Sequence, residues 1–335
     1  MKPFSQEPAD TVSSLREIAL LRAIREWLGA ASPPSPQGMG DDCAVLGLDG
    51  AQSVLATTDG VVYGRHFDDA ASAAAVGGKL LDRNISDIAA MGGTPKHALV
   101  HLIIGRDLKT AWLKEFYTGL AQSCREYGVT LAGGGTAQGP DGVFAADLTL
   151  LGVPGPKLLL RTGAQISDAI FVTGELGGSI LGKHLDFTPR LAEGQWLAKQ
   201  TGVRGMIDVT DGLAKDLPEI LPAGADARLD PAMLPISAAA RTLAERDQLS
   251  PLTHALTDGE DYELLFAVDG QADMKAFAAN WHKAHQTPLT RIGVIAAATD
   301  KKRDRQLRDA ATGKVLLSPG QRGFEHFGAL ALSLL

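Results

Sequence analysis

The chain has 335 residues, 45% of them hydrophobic and 21% charged, a composition typical of globular proteins. This length predicts two domains, each large enough for its own core. Two cysteines are too few for a disulfide framework or a four-ligand zinc site, and they favour a reducing cytoplasm. No apolar run approaches the ~20 residues that span a bilayer, so we expect no membrane partner.

The charge balance narrows the choice of ligands. The chain carries 32 basic and 39 acidic residues, a net charge of −7, and its aromatic content is 5%. These values argue against a surface that follows a phosphate backbone and stacks bases, so we expect no nucleic-acid partner. An acidic protein that binds anionic ligands needs metal ions or backbone amides to hold them.

The first half of the chain predicts an α+β arrangement. A Ser-x-x-Glu pattern at Ser14 predicts a surface helix that ends near Gly29, within an N-terminal segment of residues 1–30. A proline-rich linker follows. Apolar patterning then predicts two further helices, at 71–91 and across 112–124, and four strands, at 53–58, 98–104, 129–132 and 143–153.

A boundary is predicted at Pro154-Gly155-Pro156, because two prolines around a glycine neither pair in a sheet nor extend a helix. We therefore expect domains at 31–153 and 157–335. The second half mixes helices and strands again. Its helices are predicted from 179, from 213 and over 272–285, and its strands over 169–172, 206–209, 262–268 and 291–295.

The acidic residues are the most informative feature. Most of them follow a strand or lie in a glycine-containing turn, beside Thr or Ser: Asp41-Asp42, Asp59, Asp87, Asp208, Asp211 and Glu260-Asp261. Any one of them alone is more often a turn or cap residue than a metal ligand. Together they are the oxygen donors that Mg²⁺ prefers, so the residues alone indicate a possible metal and phosphate site.

Other motifs are weaker. The segment from Gly177 to His184 nearly matches a phosphate-binding loop, but His184 replaces the metal-binding hydroxyl, and we reject that interpretation. Gly177 and Gly178 remain generic candidates for anion binding through backbone amides. The chain contains no G-x-S-x-G or H-E-x-x-H, so the familiar hydrolase and zinc-protease signatures are absent.

Taken in chain order, five motifs resemble the series found in the thiamine-monophosphate kinase family, within the aminoimidazole ribonucleotide synthetase superfamily. The resemblance runs from about Gly38 to Phe327, and the ending Gly323-Phe324-Glu325-His326-Phe327 is also similar. The motifs are Gly38-Met39-Gly40-Asp41-Asp42, Thr57-Thr58-Asp59-Gly60 through His66-Phe67, Asn84-Ile85-Ser86-Asp87 through Gly92, Asp208-Val209-Thr210-Asp211-Gly212-Leu213 and Gly259-Glu260-Asp261-Tyr262-Glu263-Leu264.

This resemblance implies an N-terminal α+β domain whose four-stranded sheet pairs with that of a second copy in a homodimer. It also implies a C-terminal α/β sandwich domain, with ATP and several Mg²⁺ ions between the two. The implied reaction transfers the γ-phosphoryl group of ATP to thiamine monophosphate, giving thiamine diphosphate. The substrate phosphate would attack directly, without a protein nucleophile, because phosphoryl transfer depends mainly on positioning and charge neutralisation.

The resemblance also implies roles for individual residues. Substrate contacts would come from His66, Glu260 and Phe324, with Phe324 offering an apolar face to a thiamine ring. ATP contacts would come from Tyr117, Gly134, Gly135, Arg161 and Thr210. The Mg²⁺ ligands would be Asp42, Thr57, Thr58, Asp59, Asp87, Asp208 and Asp211.

Two positions depart from the family pattern. Gly135 stands where the family has a metal-binding Asp, and Asp258 stands where a Gly usually precedes the Gly-Glu-Asp-Tyr run. The Gly135 change leaves two alternatives open. One is a divergent ATP-dependent synthetase or kinase for another phosphorylated substrate, and the other is a degenerate nucleotide-binding protein. The Thr-Thr-Asp and Gly-Glu-Asp-Tyr motifs favour the kinase.

Overall fold

The computed structural model describes residues 7, 14, 17–31, 33–47, 53–300, 303–317 and 323. Its first half contains three helices and five strands. The helices are α1 (Glu17–Leu28), α2 (Ala73–Ala90) and α3 (Thr110–Tyr127). The strands are β1 (Ala44–Leu46), β2 (Val54–Val62), β3 (Thr94–Ile104), β4 (Thr130–Gln138) and β5 (Phe144–Val153).

These strands form one sheet in the order β1-β2-β5-β3-β4. Strands β3 and β4 are parallel and are joined by α3, whereas the other pairs are antiparallel. The four long strands are those expected from the sequence. The three-residue strand β1 is an addition that covers only the first part of β2, since its register ends at Ala56.

Helices α2 and α3 cover one face of this sheet and pack unusually close to each other. Two glycines allow the approach: a Cβ on Gly119 would lie 1.9 Å from the Ala74 carbonyl oxygen, and one on Gly77 would lie 1.9 Å from that of Phe116. Helix α2 begins at Ser72, whose hydroxyl accepts a hydrogen bond from the Ala75 amide. The close packing against α3 fixes the position of α2, and with it the polar side chains that α2 directs toward the second half of the chain.

The second half contains a six-stranded sheet in the order β11-β8-β10-β6-β9-β7. Its strands are β6 (Ala169–Thr173), β7 (Val203–Asp208), β8 (Ala225–Leu229), β9 (Leu264–Val268), β10 (Leu289–Ala297) and β11 (Leu307–Asp309). Its helices are α4 (Leu191–Leu197), α5 (Leu213–Ile220), α6 (Ala238–Asp247), α7 (Pro251–Thr257) and α8 (Met274–Ala284). Apolar side chains pack on both faces of the sheet, which gives the α/β sandwich expected.

One predicted helix is wrong. From Ser179 the chain makes only a single 3-10 turn, Ser179–Leu181. Gly178 before it and Gly182 after it both have positive φ, 75° and 140°, which a continuing α-helix does not permit. Three short helices (α4, α6 and α7) and two strands (β8 and β11) were not predicted from the sequence.

Helix α2 also connects the two halves. Ala89 and Ala90, at its end, belong to the same buried cluster as Leu197 of α4 and Phe266 of β9. A Cβ on Gly194 of α4 would lie 2.1 Å from the Ala89 carbonyl oxygen. This packing brings the polar turn of α2 before Ala89 to the end of strand β7.

The other face of the first sheet is open. Leu99, Ile103 and Leu131 project from it with 46%, 36% and 38% of their surface exposed, and every residue of β4 except Ala137 is exposed. Strand β4 also has no partner strand on its outer side among the described residues. Within the described ranges, we find no helix that combines the length and the apolarity needed to span a bilayer.

Candidate active site

Three carboxylates from distant parts of the chain converge at the contact between the two halves. They are Asp42, which precedes β1, Asp87 on α2 and Asp208 at the end of β7, and each offers an oxygen within 4.8 Å of the others. Neighbouring hydroxyls orient two of them: Thr57 donates to Asp87, and Ser86 donates to Asp208. Three of the acidic residues singled out in the sequence therefore lie together.

The three carboxylates are buried and repel one another. Burial, reinforced by the charge of Asp42, raises the pKa of Asp208 from 3.8 to about 8. Loss of water and the charge of Asp208 raise the pKa of Asp87 well above its ordinary value, and burial raises that of Asp42. In addition, Asp42 Oδ2 is buried without a hydrogen-bond partner. Divalent cations bound by these oxygens would reduce the repulsion among the carboxylates and would give Asp42 Oδ2 a partner.

Arg161 ties the Asp41-Asp42 turn to the second half of the chain. Its guanidinium Nη2 lies 2.8 Å from Asp42 Oδ1, and its backbone amide donates to Asp41 Oδ1 at 2.7 Å. The same guanidinium leaves its Nε buried without a partner. The predicted ATP contact Arg161 therefore lies directly beside the acidic cluster.

Strand β2 contributes the Thr57-Thr58-Asp59 segment. Thr57 reaches Asp87, while Thr58 lies next to Thr149 on the open face of the sheet, with 3.4 Å between the two hydroxyl oxygens. Asp59 does not join the cluster, because its Oδ2 accepts from Arg83 Nε at 2.8 Å. The role of Arg83 was not predicted from the sequence, where it is one of several polar residues on a helix of mixed apolar and polar character.

The Thr210-Asp211 turn is fixed by a carboxylate that sequence reasoning also missed. Buried Asp216 accepts hydrogen bonds from the backbone amides of Thr210 and Asp211, at 2.9 and 3.0 Å. Asp211 itself forms an ion pair with Lys215 at 2.6 Å. The available signal was the position of Asp216 in the first turn of α5, where carboxylates commonly bind free amides.

A second polar group lies about two turns back along α2. Fully buried Lys79 forms a 2.7 Å ion pair with Glu260 and donates to the backbone oxygen of His66 at 3.1 Å. Burial alone would raise the pKa of Glu260, but Lys79, Arg83 and His184 together lower it, with Lys79 contributing both its charge and a hydrogen bond. The predicted substrate residues His66 and Glu260 are thus joined through Lys79. Phe324 lies outside the described residues.

The remaining predicted ATP residues lie elsewhere. Tyr117, Gly134 and Gly135 line a separate cavity of about 290 Å³ at strand β4. Three strand spacings separate β4 from β2 in the sheet order, roughly 14 Å at ~4.8 Å per strand. Within one chain, these residues therefore do not meet the acidic cluster.

The backbone amides of Gly177 and Gly178, the generic candidates for anion binding, already donate hydrogen bonds within the protein. The Gly177 amide donates to Asp261 at 2.8 Å, and the Gly178 amide donates to Asp258 at 2.7 Å. Asp258, the second departure from the family pattern, is thereby part of a structural loop contact. These amides hold the loop before β9 and are not free for a ligand.

A cleft of about 840 Å³ opens beside the cluster. Its wall contains residues from both halves, including Asp42, Thr57, Thr58, Arg161, Thr210 and Asp211, and four residues of α1. The volume lies in the range of small-molecule and nucleotide sites. A cleft with clustered carboxylates, hydroxyls and a guanidinium can hold a metal–polyphosphate complex.

Comparison with known proteins agrees with this geometry. Residues 40–153 match the family model described as AIR synthase related protein, N-terminal domain, and residues 157–304 match the corresponding C-terminal domain. A thiamine-monophosphate kinase of Rhodopirellula baltica is 38% identical over 278 residues, covering 80% of this chain and 85% of the relative. The chain belongs to the thiamine-monophosphate kinase family.

Further relatives extend the match over most of the sequence. The thiamine-monophosphate kinase of Synechococcus elongatus is 30% identical over 346 residues, covering 95% of this chain and 98% of the relative. Among solved structures, AaThiL complexed with AMPPCP and TMP superimposes with a TM-score of 0.78 at 26% identity, covering 94% of this chain and 98% of that one. The family and its two-domain α/β fold expected from the motifs are confirmed.

Proposed function

We propose that this chain phosphorylates thiamine monophosphate with ATP, giving thiamine diphosphate and ADP. The observation that carries the proposal is the convergence of Asp42, Asp87 and Asp208 beside a cleft of nucleotide size. Membership of the thiamine-monophosphate kinase family and the AMPPCP and TMP bound by the similar AaThiL structure support the same reaction. The enzyme is accordingly a phosphotransferase whose acceptor is a phosphate group.

The residues present fit a magnesium site. We assign Asp42, Asp87 and Asp208 as its central ligands, with Thr57, Thr58, Asp59 and Asp211 at its border. The unpartnered Asp42 Oδ2 and the raised pKa values of all three carboxylates support this assignment. Bound Mg²⁺ would neutralise charge on the phosphates and so stabilise the transition state.

The chain's own groups position the two substrates. Arg161 and the Thr210 hydroxyl line the cleft where the nucleotide phosphates would lie. His66 and Glu260, held together by Lys79, would bind the acceptor. No serine, cysteine or histidine nucleophile is needed, because a phosphate oxygen of thiamine monophosphate is already ionised near neutral pH.

The working form would be a homodimer. Gly134 and Gly135 of β4, with Tyr117 of α3 beside them, line a cavity roughly 14 Å from β2. One ligand can therefore meet both groups only if β4 of a second copy approaches β2. The exposed Leu99, Ile103 and Leu131 on the open face favour burial against such a copy. A cytoplasmic location is supported by Cys43 and Cys124, which are both free thiols.

The test is product analysis with purified protein. Incubation with ATP, Mg²⁺ and thiamine monophosphate should yield thiamine diphosphate and ADP in equal amounts on anion-exchange chromatography. ATP binding without transfer to thiamine monophosphate would overturn the proposal and favour a paralogue that acts on another phosphorylated substrate, or a nucleotide-binding protein without kinase activity.

A further inference from the structure

Helix α1 presents one side to the cleft without being part of a core. Leu21, Arg22, Arg25 and Leu28 all line the cavity, and their spacing places them on a single helical face. None of the described α1 side chains belongs to a hydrophobic core cluster. Leu21 and Leu28 accordingly remain 49% and 46% exposed. This face is therefore available to whatever occupies the cleft.

The cationic side chains that line the cleft differ in whether they form ion pairs. Arg161 is paired with Asp42 and Lys215 with Asp211, at 2.8 and 2.6 Å. Arg22 and Arg25 make no ion pair or hydrogen bond among the described residues. Both line a cavity that is also lined by Asp42 of the acidic cluster, where an anionic ligand would bind together with its metal ions.

We propose that Arg22 and Arg25 bind the phosphate chain of the nucleotide in this cleft. Two guanidinium groups one helical turn apart can contact neighbouring phosphate oxygens, and Arg suits this contact because its N–H donors match the geometry of phosphate. The inference deepens the proposed function, because it assigns two nucleotide-binding residues to the same site.

The experiment measures nucleotide binding directly, by calorimetry with Mg²⁺ and ADP, AMP or adenosine. The double variant Arg22→Ala/Arg25→Ala should raise the Kd for ADP by about 100-fold, since each charged hydrogen bond contributes about a factor of ten. Binding of adenosine should change little. Arg22→Lys/Arg25→Lys should recover much of the ADP affinity, and Arg246→Ala, which removes an exposed arginine of α6, is the matched control.

Several outcomes would contradict the inference: unchanged ADP affinity in the double variant, an equal loss for adenosine, or a wild-type protein that binds none of the three ligands. In the kinase assay the double variant should raise the KM for ATP and leave kcat within about twofold. A wild type that binds ADP but forms no thiamine diphosphate refutes the proposed function alone, because the calorimetric comparison still decides the role of the arginines.

Discussion

Replacing Asp208 by Asn should stabilise the metal-free protein while removing its activity. Asn keeps the shape of the side chain and can still accept the hydrogen bond from Ser86. It also removes a buried charge that the folded protein holds at a cost. Because the proposed role of the cluster is to bind cations, it should oppose folding in their absence.

The expected change in the free energy of unfolding follows from the linkage between proton binding by Asp208 and folding. The pKa of Asp208 is about 8 in the folded protein against 3.8 for a free side chain. The folded state therefore retains a proton that the unfolded state releases, and stability falls as pH rises through this window. At ~1.4 kcal/mol per pH unit, the destabilisation from the raised pKa of Asp208 is about 2 kcal/mol at pH 5 and roughly 4 kcal/mol at pH 7.

The assay is thermal unfolding in EDTA at pH 5, 7 and 8. The midpoint of Asp208→Asn should exceed that of the wild type by several degrees at pH 7, and the difference should shrink at pH 5. Added Mg²⁺ should stabilise the wild type and have little effect on the variant. The matched control is Asp226→Asn, which breaks a buried 2.6 Å pair with Arg308 and should lower the midpoint. A variant no more stable than wild type at pH 7 and 8 would refute the reasoning.

Three further changes test other parts of the structure. Gly119→Ala should destabilise the fold by at least about 2 kcal/mol, because its methyl group would meet the α2 backbone. Gly78→Ala should stabilise the fold by ~0.5–1 kcal/mol, because its methyl group would meet only the Asp82 carboxylate, at an ordinary contact distance of 3.8 Å. Urea unfolding measures both changes, and equal effects would contradict the packing of α2 against α3. Glu263→Gln should cost about 3 kcal/mol at pH 7 because it leaves Arg190 and Lys183 without their buried partner. The pKa of Glu263 is lowered below 4.5 in the folded protein. The loss of stability in Glu263→Gln should therefore disappear as the pH falls through that folded pKa. A loss of stability independent of pH would contradict the role of the ion pairs. Gly135→Asp should lower the Mg²⁺ concentration that gives half-maximal activity, because it adds a carboxylate oxygen. The new side chain can be accommodated if the exposed ring of His101 moves. An unchanged Mg²⁺ requirement would remove position 135 from the metal site.

The sequence predicts much of this candidate site because its carboxylates lie at strand ends and helix turns that periodicity already locates. The pattern of apolar residues and glycines is enough to place Asp87 near the end of α2 and Asp208 at the end of a buried strand. What joins them is long-range packing: Ala89 of α2 meets Gly194 of α4, and no local pattern specifies that contact.

Dependence on long-range contacts also explains which site residues could not be predicted from the sequence. Arg83, Lys79 and Asp216 act through partners far away in the chain or through backbone amides, so in the sequence they resemble ordinary helix residues. The predicted helix at Ser179 failed because the glycines around it require positive φ, which composition alone does not reveal. The separation of Gly135 from the acidic cluster followed only from the strand order.

The most direct test of the magnesium-assisted kinase site is the rate of thiamine diphosphate formation by wild type, Asp87→Asn and the exposed control Asp141→Asn, measured at saturating ATP and Mg²⁺. Loss of a central carboxylate should lower the rate of Asp87→Asn by at least about 100-fold with its fold intact, while Asp141→Asn should match the wild type. Turnover of Asp87→Asn equal to that of the wild type would contradict the assignment of this cluster as the catalytic site.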